Sequence, residues 1–167
     1  MSKINFLKQE YRIEQSRKDK KCGIIDGQDE LPAYTTIGTN LKWNAIIDNA
    51  NSKEFVFVPI DHNIRVYKRD GNLDSTCDGM VLIQDLSLLA FVELKDVRSG
   101  GMAGAIGQLK HTIELFGQNH QYDIFKVRRA YAANIAHPRF HYNMKDEIES
   151  FRAMHFVLFP EATIRLY

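Results

Sequence analysis

The chain has 167 residues, of which 44% are hydrophobic, 26% charged and 11% aromatic, the balance of one globular domain and not of a disordered, collagen-like or coiled-coil protein. Its 22 lysines and arginines against 21 aspartates and glutamates leave a formal charge of +1, so any polyanion has to be met by a local patch. Cys22 and Cys77 show no CxxC or Cys/His ligand spacing, and no apolar run nears the roughly 18 residues of a membrane span, which together predict a reduced, cytoplasmic protein without zinc, disulfide, export signal or membrane anchor.

Residues 3 to about 20 set Ile4, Leu7 and Tyr11 at spacings of three and four among charges, which predicts a surface helix. Gly23, Gly27, Pro32 and Gly38 mark residues 22–39 as loop. Thr39 or Asn40 then caps a short helix to about Ala50, with Trp43, Ile46, Ile47 and Ala50 inward. Glu54 to Ile60 reads as a strand, and Ile64 to Arg69 as its hairpin partner across Asp61-His62-Asn63, followed by a turn at Asp70-Gly71-Asn72.

Two further strands, Gly79 to Ile83 and Leu88 to Lys95, flank the turn Gln84-Asp85-Leu86-Ser87. Ser99-Gly100-Gly101 opens a helix whose residues Met102, Ala105, Leu109, Ile113 and Phe116 form an amphipathic stripe ending near Gly117. Val127 to Ile135 is a strand, Asn143 to about Met154 a helix capped by Asn143, and Phe156 to Phe159 a last strand. The sum is one α/β domain with a mixed central sheet flanked by helices.

The chemistry gathers where two apolar strands end in charge. Side chains alternate along a strand, so Glu93 and Lys95 share one face and Leu94 takes the other. If strands 79–83 and 88–95 form a hairpin, Asp78 comes to lie beside Glu93 and Lys95. Two carboxylates and a backbone carbonyl suit a hard cation such as Mg²⁺, and Lys95 is placed to orient or deprotonate a water.

Asp78, Glu93-Leu94-Lys95 and the helix after them resemble the PD-(D/E)xK nuclease superfamily, over residues 40 to 136 or so. The resemblance implies a restriction endonuclease-like fold with an α-β-β-β-α-β core, residues 1–39 forming an N-terminal helix and loop and 137–167 a C-terminal helix and strand. It implies a nuclease acting on nucleic acid, in first place DNA. Asp78, Glu93 and the Leu94 carbonyl would bind Mg²⁺, with Mn²⁺ as substitute, and Lys95 would assist water attack. Two departures stand out: Cys77 precedes the motif aspartate where the family often has proline, and Gln108 is followed four positions on by Thr112, not tyrosine. Gln108 is either a site residue or a polar helix border. Some members draw another acid from an N-terminal helix, for which Glu10, Glu14 and Asp48 are all candidates.

The other triplet of this form, Asp19-Lys20-Lys21, lacks an apolar strand around it. Lys3 to Lys21, with seven basic residues against three acids, and Lys126, Arg128, Arg129 and Arg139 either track a phosphate backbone or are solvated charge. His137 and His141 read as loop histidines because Pro138 opposes a helix between them, and Ser99 to Gly101 either hold a phosphate or simply start a helix. No separate target-recognition domain is visible, so specificity would come from loops such as 22–39, a homodimer or a protein partner. The rival function is a nuclease-fold module that binds or assembles without catalysis, within a DNA defence or repair complex.

Overall fold

The computed structural model describes residues 3–27, 29–97, 100–136 and 144–167. Among the described residues nine strands and two α-helices make a single α/β domain: β1 (Lys21–Ile25), β2 (Tyr34–Thr36), β3 (Ala45–Asp48), β4 (Phe55–Pro59), β5 (Gly79–Ile83), β6 (Leu88–Lys95), α1 (Met102–Asn119), β7 (Val127–Asn134), α2 (Lys145–Ala153), β8 (Val157–Phe159) and β9 (Thr163–Arg165). No helix among the described residues is long and apolar enough to cross a membrane.

The strands form two mixed sheets where one was expected, a five-stranded sheet in the order β4-β5-β6-β7-β8 and a four-stranded sheet in the order β2-β1-β3-β9. In the larger sheet β4, β5 and β6 are antiparallel, whereas β6 runs parallel to β7 and β7 to β8. Alternation along the strands sorts the core into two layers. Val56, Val58, Met80, Leu82, Leu89 and Phe91 face α1, which meets them with Met102, Ala105, Leu109, Ile113 and Phe116. Phe55, Phe57, Val81, Ala90, Val92 and Leu94 face the smaller sheet and its Cys22, Ile24, Ala45, Ile47 and Ile164. The central strands are thus covered on both sides, which is why they read as unbroken apolar runs.

The N-terminal third departs from expectation. Residues 3–20 make only a short 3₁₀ turn at Gln9–Tyr11, not a surface helix. Phe6 is fully buried against Phe116, ring centroids 5.8 Å apart, and the Phe6 and Ile4 amides donate to His120 Nε2 and Asn119 Oδ1, so the segment is tied down as an irregular strap across the end of α1. The expected loop 22–39 contains β1 and β2, which pair antiparallel. The helix expected at 40–50 is strand β3, held between β1 and β9 by main-chain pairing that helical residues would forgo. Residues 64–69 do not pair with β4. Their hydrogen bonds close on the same loop, Lys68 N–H to Asn72 C=O and Asp74 N–H to Val66 C=O, while β4 takes β5 as its neighbour. Strand β9 has no counterpart in the expected order. Ser99, residues 137–141 and the Asn143 cap lie outside the described residues.

Candidate functional site

The β5/β6 ladder ends at the pair Gly79↔Val92. One step further, Asp78 and Glu93 stand opposite one another on the α1 side of the sheet, since Asp78 shares the parity of Met80 and Leu82, and Glu93 that of Leu89 and Phe91. Gly79 is required at this corner: a Cβ there would meet Phe57 Cζ at 2.4 Å. Beyond the ladder's end the carboxylates replace the missing strand bonds. Asp78 Oδ2 accepts from the Leu94 amide at 2.6 Å, and Glu93 Oε2 accepts from the Asp78 amide at 3.2 Å. Because Lys95 bonds to β7 through its carbonyl, Leu94 turns its N–H and C=O to the opposite side, toward Asp78.

Lys95 Nζ lies 2.8 Å from Glu93 Oε1 and 3.2 Å from Gln108 Oε1. Gln108, on α1, also donates to the Thr76 carbonyl at 3.0 Å, so one side chain ties the helix, the loop before β5 and the lysine together. The four residues singled out from sequence, Asp78, Glu93, Lys95 and Gln108, are brought into one connected cluster, with the Leu94 backbone alongside.

The electrostatics are those of an underneutralised acid pair. Glu93 is 2% exposed, and burial, together with the Asp78 charge and against the pull of Lys95, pushes its carboxyl up to about 8. Burial likewise pushes Asp78 up to about 6, opposed by the Leu94 amide and reinforced by the charge of Asp26. Lys95 moves upward: burial alone would lower it, but Glu93, Asp78 and Asp26 outweigh that. It therefore stays an ammonium at neutral pH, suited to stabilising negative charge and not to taking a proton from water.

Asp26 carries no signal in the sequence. It follows β1 on the smaller sheet, its amide held by Asn44 Oδ1 at 3.0 Å, and its carboxyl is raised by burial while interacting with Lys95, Asp61 and His62. His62 Nε2 lies 3.2 Å from Asp61 Oδ2 just past the end of β4. The acids considered from sequence are engaged elsewhere: Glu14 accepts from Thr35, Glu10 pairs with Lys8, and Asp48 accepts from the Tyr167 hydroxyl. Only the sheet pairing that carries β1 to this edge reveals Asp26.

Cys77 and Thr112, the two departures from the family pattern, make one hydrogen bond. The Cys77 amide donates to Thr112 Oγ1 at 2.8 Å, and that hydroxyl donates to the Gln108 carbonyl at 2.7 Å. A proline at 77 would have no amide to offer, so the threonine and the non-proline residue belong together. Cys77 is fully buried, and burial raises its thiol well above its ordinary value, so it is no nucleophile.

Among the described residues no three His, Cys, Asp or Glu side chains converge as a metal centre of their own. Two adjoining carboxyls and a backbone carbonyl nevertheless match the sparse oxygen set of Mg²⁺, which binds through one or two carboxylates and keeps waters. Burial holds both acids above their ordinary range, helped by the Asp78 charge at Glu93 and by the Asp26 charge at Asp78, and a cation beside them would offset these effects. The basic clusters noted from sequence are consumed internally only in part. Arg129 donates to the Arg165 and Tyr167 carbonyls, Arg128 to those of Phe125 and His155, and Arg17 pairs with Asp19 at 2.8 Å.

No family model, curated protein or solved structure matches the chain.

Proposed function

We propose that this chain is a Mg²⁺-dependent nuclease of the PD-(D/E)xK superfamily that hydrolyses phosphodiester bonds in DNA. The observation that carries the reading is the buried Asp78–Glu93 pair at the end of an interrupted ladder, with the Lys95 ammonium 2.8 Å from Glu93. The element order supports it as well: β4, β5, β6, α1 and β7, with β7 parallel to β6, follow the β-β-β-α-β part of a restriction endonuclease-like core. The leading helix of that core has no counterpart here, and strands β1 to β3 occupy its stretch of chain.

In this reading Asp78, Glu93 and the Leu94 carbonyl would hold the ion, which would supply an acidified water and neutralise phosphate charge. Lys95, kept charged by Glu93 and aimed by Gln108, places a fixed positive charge where negative charge grows on the attacked phosphate. Gln108 is a positioning residue acting through Lys95.

The test is cleavage of supercoiled plasmid and end-labelled oligonucleotides with Mg²⁺, Mn²⁺ or EDTA. Metal-dependent cutting lost in Lys95→Ala is expected; cutting that survives in EDTA, or at the same rate in that variant, refutes the proposal. Because no third acid closes on the pair among the described residues, a non-catalytic binding module is the second reading. Calorimetric titration with Mg²⁺ separates the two, since that module gives no heat, or the same heat in Asp78→Asn.

A further inference from the structure

The segment between β4 and β5 is the longest connection in the larger sheet without an α-helix, and three of its cations are left unspent. Arg65, Lys68 and Arg69 are exposed, and none has a side-chain hydrogen bond or salt bridge among the described residues. Together with Lys3 they line one side of a groove of about 490 Å³ whose floor includes Leu115 and Gln118 of α1. The acid in that groove, Asp74, is already taken by His111 Nε2 at 2.8 Å. Tyr67 is 53% exposed and pairs through its backbone with Leu73, 61% exposed, so an exposed aromatic sits among the cations.

The groove leads to the candidate site. Arg65, Val66 and Asp74 also border a second depression lined by Asp61, His62 and Thr76, and the Thr76 carbonyl is the one bonded to Gln108. From Gln108 to Gln118 along α1 is about 15 Å at 1.5 Å per residue.

We propose that the 61–76 loop is the arm that binds an unpaired nucleic-acid strand leading away from the site, Arg65, Lys68 and Arg69 contacting its phosphates and Tyr67 stacking on a base. The inference rests on the nuclease reading for where the strand goes, but its chemistry is independent. Unpaired cations tracking a backbone, with an exposed aromatic that accepts any base face, are the parts of a single-strand binding groove. A blunt duplex keeps its bases stacked inward and offers Tyr67 nothing.

The experiment is fluorescence anisotropy in EDTA with a labelled single-stranded oligonucleotide and a blunt duplex of the same sequence, across a salt series. Arg65→Gln/Lys68→Gln/Arg69→Gln is expected to weaken single-strand binding more than 10-fold, and to flatten the log–log salt dependence by about 2, near 0.7 for each phosphate that is no longer neutralised. Tyr67→Ala is expected to weaken it about 5- to 100-fold and leave duplex binding unchanged. All four positions are exposed, and circular dichroism of each variant checks the fold. Wild-type affinity in the triple variant, a Tyr67→Ala effect equal on duplex and single strand, or a wild type that prefers heparin or anionic vesicles to the oligonucleotide overturns the inference. A protein that binds single strands through these residues yet never cuts overturns the nuclease reading alone, and a nuclease whose loop variants bind unchanged overturns this one alone.

Discussion

Replacing Glu93 by glutamine is expected to make the metal-free protein more stable while abolishing the proposed cleavage. A carboxyl pushed up from 4.5 to about 8 carries its proton in the folded chain under conditions where the unfolded chain gives it up. The wild type therefore has the full stability of this group below pH 4.5 and loses it as pH rises toward 8. At pH 7.5 the displacement is roughly three pH units, an upper bound of about 4 kcal/mol at roughly 1.4 kcal/mol per unit. Asp78, itself pushed up to about 6, shares the burden, so about 2–3 kcal/mol is the expected gain. Glutamine keeps an oxygen for the Asp78 amide, and Lys95, 26% exposed, still has Gln108 and water. Urea unfolding in EDTA at pH 4.5 and pH 7.5 measures the difference, with an unchanged m-value as the sign that only the native state was altered. A Glu93→Gln protein that is less stable at pH 7.5, or equally displaced at both pH values, would refute the claim that this acid is held against its preference. Mg²⁺ should then raise the melting temperature of the wild type at pH 7.5 and leave that of Glu93→Gln where it was.

Lys95→Ala should lower the cleavage rate about 10²- to 10³-fold, the scale of losing one preorganised charge, with Lys95→Arg in between, as read by single-turnover kinetics. Gln108→Ala frees Lys95 on one side and should cut kcat about 10-fold with little change in KM, while Gln108→Glu, which keeps an acceptor for Lys95, should recover part of the loss. Thr112→Val leaves the buried Cys77 amide without an acceptor and should cost about 1–3 kcal/mol in urea unfolding, whereas Thr112→Ser should stay near wild type.

The second half of the fold is open to reading because its elements are long and their periods distinct. β6 runs eight residues and α1 eighteen, long enough for alternation or a 3.6 repeat to declare itself. β3 has four residues, and in so short a stretch Trp43, Ile46, Ile47 and Ala50 fit a helical stripe as well as a strand. What decides is main-chain pairing with β1 and, from the far end of the chain, β9, which no local pattern encodes. The strap that holds Phe6 is hidden likewise: one aromatic in a charged segment says nothing of the Phe116 and His120 rings that receive it. Asp78, Glu93 and Lys95 can be placed because strand parity and one tight turn determine their meeting. Asp26 acts on Asp78 and Lys95 only through its charge, from another sheet, and the Thr112 role is visible only once the Cys77 amide is known to lack a strand beside it.

The position of the site follows from how β6 is paired. Along its length the strand has β5 on one side and β7 on the other, but β5 ends at Gly79 while β7 runs on to pair Asn134 with Lys95. The last residues of β6 are therefore bonded on one edge only, and the polar backbone of Leu94 must find something else. Asp78 supplies an acceptor for the amide, and in doing so is drawn against Glu93, which any apolar filling of the gap would have avoided. Asn134 fixes the exit of the chain by accepting from the Val97 amide at 3.3 Å and donating back to its carbonyl at 2.9 Å, so the edge cannot relax by swinging away. A fold seeking only stability would extend β5 by one residue and place a methyl-bearing side chain at 93. Keeping two acids and an ammonium there costs stability that rises with pH, and the proposed cation would offset that cost.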